Sequence, residues 1–475
     1  MKILLISPSV APDVKTPGGL MIPQLSLHIL EGLTPPEHEV KIIEEEMDDI
    51  SLEEECDLVG ISCMTANAPR AYALAREFGK RGKTVVLGGV HPTLLFDEAI
   101  QHCDAVVVGE AENVWEQLLE DFQKGALQRR YHHPATSLDR YIHMKYRKAA
   151  KKRLFNVIPI MTTRGCPYRC EFCCVSNLYG NKIRHVPIEN IVRDLTESRN
   201  QNYMFLDDNI IGEPRYAKAL FQAIKPFGIK WAGQASISFV HDTEMMRLAA
   251  ESGCAALFFG VESVSEHQLR TMRKSIKRIN ALEEAIKRIK DLGIHFHASL
   301  VFGFDNDTKD IFPKTLEFLE RNRIGTASFN ILTPYPGTQI YKQFLQEGRL
   351  LTTDWKYYDH STVVFRPRNM SPYELQTGEI QVKKEFSRLT SIIRRLPGNL
   401  SHPLLYLLMN LGIRKNVALD TLKLPHLMSE IFGIEPRESG FASTSGATAL
   451  KAREHQQRQS RELGQYQRFE KGTES

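Results

Sequence analysis

TTRGCPYRCEFCCVSN, residues 162–177, places Cys166, Cys170 and Cys173 in one short run. The spacing is C-x3-C-x2-C, and an aromatic, Phe172, precedes the third cysteine. Three thiolates this close can hold three irons of a cubic 4Fe–4S cluster and leave the fourth iron without a protein ligand. An open iron can bind a small molecule and pass it an electron, so the spacing points to chemistry as well as structure. A structural zinc site is the alternative, and it closes with a fourth Cys or His at matching spacing. Cys174 adjoins Cys173, where a regular loop or turn points its side chain elsewhere, and His185 stands unpaired in the sequence.

Directly before the run, residues 157–163 read as a strand. Further strand candidates follow at 202–206, 230–235, 255–260, 294–302 and 325–332. Between them lie helical patterns at 187–199, 214–226, 242–252, 276–292 and 308–322. Six βα units in a row predict a partial (β/α)6 TIM-like barrel over 156–370. The cysteines then leave the C-terminal end of the first strand, which is where barrels place their chemistry.

Upstream, residues 1–130 carry KILLIS (2–7), VKIIE (40–44), DLVGISC (57–63), TVVLGG (84–89) and AVVVGE (105–110), separated by helical segments. Near-continuous Val/Ile/Leu runs are strands covered on both faces, hence a parallel sheet. The expectation is an α/β chain with an N-terminal flavodoxin-like (Rossmann-like), doubly wound domain. Residues 131–155 are polar and basic and read as a linker. Residues 371–432 read as a helical C-terminal region, and 433–475 have the composition of a disordered tail.

Composition sets outer bounds. The 475 residues are enough for two or three domains. Hydrophobic content of 42% and charged content of 25% are ordinary for a soluble globular protein. A net charge of +4 gives no reason to expect nucleic acid. Eight cysteines without regular pairing, and a start that reads as a first strand rather than a signal, point to a reducing cytoplasm. No apolar stretch approaches the roughly 20 residues of a transmembrane span.

The cysteine spacing with Phe172 resembles that of the radical S-adenosylmethionine (SAM) superfamily. The resemblance implies that the open iron chelates the amino and carboxylate groups of SAM. An electron, from a donor such as a flavodoxin or ferredoxin, then splits SAM to a 5′-deoxyadenosyl radical. It also implies SAM-binding roles at successive strand ends, beginning with Phe172 beside the cluster. Asp207 and Asp208 in FLDDNI (205–210) stand where many members have Gly-Gly-Glu, and would take the SAM ammonium. Glu262 and Ser263 in FFGVES (258–263) would contact the ribose or methionine part. Gly303 in HASLVFGFDNDT (297–308) would let the backbone approach adenine, and LTPYPGT (332–338) is the matching final turn. The ordinary reading of the Asp pair is an N-cap or turn. A Glu leaving a buried strand needs a partner, which favours a site.

A flavodoxin-like domain ahead of such a barrel resembles the cobalamin-binding class of the superfamily, at SCMTANAPRA (62–71) and GGVHPTLLFDEAIQHCDAVVVGEAE (88–112). The resemblance implies that Ser62, Thr65, Gly88, Gly89, His91 and Thr93 hold cobalamin at the strand ends. The Asp-x-His-x-x-Gly motif that supplies a cobalt-ligating His in many cobalamin proteins is absent, and His91 also reads as a loop residue before Pro92. The implied activity is cobalamin-dependent C-methylation at an unactivated C–H bond of a small-molecule or lipid substrate. The alternative is a radical SAM cyclase, oxidase or C–C coupling enzyme whose N-terminal domain is a scaffold. A tRNA methylthiotransferase would need three more cysteines in matching loops. Cys56, Cys63 and Cys103 are available, but Cys56 lies in an acidic run and Cys103 near a helix end. A non-enzymatic Fe–S module is the remaining class.

Near the C-terminus, LLYLLMNL (404–411) lies between Arg394, Arg395 and Arg414, Lys415. It reads either as a peripheral membrane segment or as a helix packed on the barrel mouth. Tyr335, Trp355 and Tyr357 are candidates to line the barrel.

Overall fold

The computed structural model describes residues 1–13, 22–134, 137–138, 157–180, 182–271, 276 and 278–434. The expected linker at 131–155 and tail at 433–475 fall almost wholly outside the described residues. The chain divides into two compact units. One holds 1–260, 272–298 and 335–338; the other holds 261–271, 299–334 and 339–475.

In the first unit, β1 (Lys2–Ser7), β2 (Glu39–Glu44), β3 (Leu58–Ser62), β4 (Thr84–Gly88), β5 (Ala105–Val108) and β6 (Arg130–His132) form one sheet, ordered β2-β1-β3-β4-β5-β6. Every pairing is parallel. The period of two explains why the runs are apolar throughout. Leu4, Ile6, Val59 and Ile61 pack on the helix Ala68–Lys80 through Ala71, Tyr72, Ala75 and Phe78. Ile3, Leu5, Leu58 and Val107 pack the opposite way on Trp115, Leu118 and Leu119. Each such buried Leu, Ile or Val contributes about 1.5–3 kcal/mol. The sixth strand is a departure from the five read in the sequence. Arg130–Tyr131–His132 buries only Tyr131, whose hydroxyl donates to Asp121 (2.9 Å), so the strand carries no apolar run.

The barrel series begins with β7 (Val157–Ile160), followed by a short antiparallel hairpin of β8 (Thr163–Arg164) and β9 (Arg184–His185). Strands β10 (Asn202–Phe205), β11 (Lys230–Ala235) and β12 (Cys254–Glu262) continue from β7 in parallel register. The strand order runs on through β13 (His295–Phe302) and β14 (Thr326–Ile331). The aromatic Phe205 meets Trp231 edge-on at 5.2 Å, and Phe221 of the helix Pro214–Ile224 stacks on Trp231. Trp231 Nε1 donates to Ser252 (3.1 Å), so the buried indole keeps a partner.

In the second unit, the helices Pro372–Phe386 and Pro403–Glu430 pack on β14, and the helices Ile311–Arg321 and Leu389–Arg395 pack on Pro372–Phe386. The helical region expected over 371–432 is interrupted at Ser387 and Arg388, where a new helix starts. Ser371 and Glu374 form a capping box ahead of Pro372. Arg395 is fully buried without a carboxylate. It donates to the carbonyls of Ile324, Gly325 and Phe386 (each 2.8 Å) and to Asn410 (3.0 Å). Asn410 in turn donates to the Gly325 carbonyl (3.1 Å). These bonds fasten residues 395–410 at the N-terminal end of β14, which corrects the expectation of a helix on the barrel mouth. Trp355 and Tyr357 also differ from expectation: Trp355 is buried against Tyr341 and Tyr358, and the Tyr357 hydroxyl donates to Glu430 (2.6 Å).

Candidate active site

The cysteine loop leaves the end of β7 through Thr162, Thr163, Arg164 and Gly165. Its roots are tied down by the aspartate pair that ends β10. Asp207 is fully buried, and its Oδ1 accepts from the backbone and hydroxyl of both Thr162 and Thr163. Burial pushes the Asp207 carboxyl up to about 6, and the four donors limit the rise. Its Oδ2 is buried without a hydrogen-bond partner. Asp208 accepts from the Gly165 backbone (3.0 Å), one residue before Cys166. Burial raises its carboxyl too. Asp207 is therefore committed to the loop rather than open to a ligand, and Asp208 is the member of the pair beside the cysteines.

The four cysteines separate by what surrounds them. Burial pushes the Cys173 thiol up to about 12, and the nearby Cys174, Cys170 and Cys166 add to it. The Cys174 thiol is raised by burial and by Asp208, with no contribution from Cys166 or Cys170. Among the described residues, no three His, Cys, Asp or Glu side chains converge as single-ion ligands. A cubic cluster does not ask for convergence, because each cysteine holds a different iron. Cys166 and Cys170 close enough to raise the Cys173 thiol fit such a cluster, since metal ligation stabilises the deprotonated form that burial opposes. His185 lies elsewhere: its ring packs on Tyr216 at 4.7 Å.

The loop is also clasped to the N-terminal sheet within the same unit. Glu110, just past β5, pairs with Arg164 (3.1 Å) and with Arg184 (2.9 Å), and Glu112 pairs with Arg164. Side-chain exposures of 8% for Arg164 and Glu110 make this a buried network. Burial pushes the Glu110 carboxyl up, but the Arg184 hydrogen bond and the Arg164 charge outweigh it and hold the acid below its usual range. A second tie joins Asn177, which donates to the Gly337 carbonyl (2.6 Å) in the LTPYPGT turn. The sequence reading missed Glu110, Glu112, Thr162, Thr163, Arg164 and Arg184. The signal available was charge and hydroxyl beside glycine at two strand ends.

At the C-terminal edge of the N-terminal sheet, the predicted residues take distinct positions. Gly89 has φ +101°, and a Cβ there would lie 2.6 Å from the Cys63 carbonyl, so only glycine fits. Thr93 donates to the Gly89 carbonyl (2.7 Å) and accepts from the Gly109 backbone (2.9 Å), joining the ends of β4 and β5. The Gly88 carbonyl accepts from Cys63 (2.9 Å), and Ser62 faces Ser26 across 3.4 Å. Thr65 is 1% exposed with a buried hydroxyl that has no hydrogen-bond partner. His91 is fully buried, with Nε2 at 3.2 Å from Glu98, so its ring faces the domain interior rather than the edge. Val10 and Met64, 47% and 56% exposed, lie on the loops after β1 and β3. Asn67 ties those loops by donating to the Pro8 carbonyl (2.8 Å) and accepting from Met64 (2.7 Å). An orphaned hydroxyl and exposed apolar side chains on a sheet's C-terminal edge fit a large flat cofactor bearing amide arms. Cys56 and Cys63, by contrast, sit in the apolar core with Cys103 packed against them. Burial raises all three thiols.

In the second unit, Glu262 ends β12 with φ +65°, an unusual conformation for a non-glycine residue. Ser263 is buried and accepts from the Ser265 backbone (3.1 Å). Gly303 has φ +103°, and a Cβ there would lie 2.9 Å from Phe365 and Leu375. Its backbone donates to Asp307 (2.9 Å). The conformation and the packing at this position both require glycine.

Comparison with known proteins agrees with these features. Residues 160–319 match the family model of the radical SAM superfamily, and 25–119 that of the B12 binding domain. The chain is 30% identical over 443 residues to bacteriochlorophyllide d C-8(2)-methyltransferase of Chlorobaculum tepidum, covering 88% of this chain and 97% of that protein. It is 29% identical over 412 residues to the C-12(1)-methyltransferase of the same organism, covering 84% and 90%. In fold it resembles the cobalamin-dependent SAM radical enzyme OxsB, with TM-score 0.63, 14% identity, and coverage of 98% and 84%. The methyltransferase TsrM from Kitasatospora setae gives TM-score 0.58 at 14% identity, covering 73% and 78%. A B12-type edge locked to a three-cysteine loop, and relatives aligned over nearly their full length, lead to one assignment: the chain belongs to the radical SAM superfamily, among the members with a B12-binding domain ahead of the barrel.

Proposed function

We propose that this chain is a cobalamin-dependent radical SAM C-methyltransferase. The observation that carries the reading is the buried clasp of Glu110 and Glu112 on Arg164 and Arg184, which sets the B12-type edge against the root of the cysteine loop. When bound, the cluster supplies an electron to SAM and cobalamin supplies a methyl group, so the cofactors bring the difficult chemistry.

The protein's part is to hold and orient. Cys166, Cys170 and Cys173 would hold the cluster, and Cys174 stays outside the ligand set. Asp208 would accept from the SAM ammonium, its carboxylate already fixed by Gly165. Asp207 acts as a positioning residue for the loop. Glu262 and Ser263, ending β12, would face the ribose or methionine part, and Phe172 would lie beside the cluster. Thr65 would give its orphaned hydroxyl to a cobalamin amide, with Gly89, Thr93 and the backbone of Gly88 and His91 shaping the edge. Ser62 completes that rim. Gly303 acts through the turn that Asp307 fastens. An external electron donor and a reducing compartment belong to the same proposal, in keeping with eight free cysteines. No helix among the described residues is long and apolar enough to cross a membrane. Bacteriochlorophyllide d, acted on by the two relatives, is the first substrate to try.

The test uses protein purified anaerobically with cobalamin, supplied with SAM and a reductant. Formation of 5′-deoxyadenosine together with label transfer from methyl-labelled SAM to carbon is expected. Absence of SAM cleavage with an intact cluster would sink the reading. Cleavage without label transfer, cobalamin bound, would turn it to the cyclase, oxidase or coupling class.

A further inference from the structure

Eight of the eleven large apolar side chains exposed among the described residues lie between Leu389 and Leu422. Ile393, Leu400 and Leu404 are 68%, 65% and 64% exposed, and Leu407 and Leu411 continue the strip one and two turns along the helix Pro403–Glu430. A concentration of this kind on adjoining helices, which the Tyr406 hydroxyl joins by donating to the Ile392 carbonyl (2.6 Å), marks an interaction site rather than scattered surface residues. Charge identifies the partner. From Phe386 to Leu419 the chain contains no Asp or Glu, but it contains Arg388, Arg394, Arg395, Arg414 and Lys415. Arg395 is buried in the carbonyl network before β14, leaving four cations at the surface, two of them (Arg388 and Arg394) in ion pairs with Glu385 and Glu320. Exposed leucines among cations, with acids excluded from the segment, match the chemistry of an anionic bilayer surface. A protein partner or a second copy would have no need of a segment without acids.

We infer that residues 389–419, the stretch without acids, dock this protein peripherally on an anionic lipid surface. The strip is anchored at the N-terminal end of β14 through Arg395 and Asn410. The surface is an anchor in this reading and not a substrate entrance.

The test is co-sedimentation of the full chain, cluster reconstituted, with phosphatidylcholine vesicles with and without phosphatidylglycerol. Binding is expected only with the anionic lipid, and to weaken as salt rises. Ile393→Glu/Leu404→Glu/Leu407→Glu is expected to lower vesicle affinity by at least about tenfold. Arg414→Glu/Lys415→Glu is expected to do the same through charge alone, since each basic residue near the surface is worth about fivefold. Both variants change exposed positions, and an unchanged thermal melt would show that the fold is intact. No binding to anionic vesicles, or equal binding by wild type and both folded variants, would overturn the inference. So would a concentration-dependent dimer that these substitutions abolish, which would make the strip a contact between copies.

Discussion

The cysteine loop and the edge of the N-terminal sheet prepare for their cofactors in opposite ways. The loop concentrates its ligands on one segment and commits buried charges to holding that segment still. The edge spreads small contributions over the loops after β1, β3, β4 and β5, and leaves apolar side chains exposed. One is a site where a single side chain is decisive; the other is a surface where no single side chain is. Substitutions should divide accordingly, all-or-none on the loop and graded on the edge.

The sharpest break is at the ligands. Replacing Cys166, Cys170 or Cys173 with Ala is expected to abolish the cluster's visible absorbance and SAM cleavage, whereas Cys174→Ala retains both. Loss of the cluster in Cys174→Ala would mean that the four thiols do not divide as their surroundings indicate.

The clasp comes next, because it joins the two regions. Glu110→Ala leaves Arg164 and Arg184 buried against each other, and removing one partner of a buried pair costs about 3–5 kcal/mol. SAM cleavage per cluster is expected to persist in folded protein while methyl transfer falls further. Equal loss of both activities would show that the clasp only stabilises.

Asp207 separates positioning from contact. Asp207→Ala leaves two backbone donors and two hydroxyls unsatisfied in the interior, and a buried unsatisfied group costs about 1–3 kcal/mol. Asp207→Asn keeps the accepting oxygen and is expected to retain the cluster. The pH dependence has a definite sign. Because the folded carboxyl is raised from 3.8 to about 6, the native state holds its proton more tightly than the unfolded chain. Its stabilising contribution is present below pH 3.8 and is lost as pH rises through about 6. Chemical unfolding should therefore show wild type losing stability relative to Asp207→Asn across that window, by roughly 3 kcal/mol. A constant difference across it would contradict the assignment.

The smallest effect belongs to the edge. Thr65→Val is expected to weaken cobalamin binding severalfold, in line with one hydrogen bond of about 1 kcal/mol. Loss of all binding would mean that the edge depends on one side chain after all.

These contrasts also decide what could be read from the sequence. The strands β1 to β5 came from runs of Val, Ile and Leu, because burial on both faces favours that composition, whereas β10 (NYMF) and β11 (KWAGQA) were legible only through their place in the βα alternation. β6 escaped because an edge strand of Arg, Tyr and His buries one residue. The cysteine spacing is local and so was legible. The aspartate pair was legible as a pair only, because which member turns inward depends on the pleat at the end of β10. Glu110 and Arg164 were invisible as partners, being 54 positions apart and unremarkable singly. The C-terminal leucines were seen, but their place at the start of β14 depends on Arg395, a cation that composition alone assigns to the surface.

The ties from Asp207 and Asp208 to Thr162, Thr163 and Gly165 use none of the cysteine thiols. Many small metal sites are unfolded until their ion arrives, so that loading and folding are one event. Here the stem of the ligand loop is already fixed by oxygen and nitrogen atoms of the chain itself. Cluster delivery then becomes an insertion into a waiting frame. A protein stripped by oxygen should keep its shape and accept a second cluster, which makes repair after oxidative damage a matter of supply rather than of refolding.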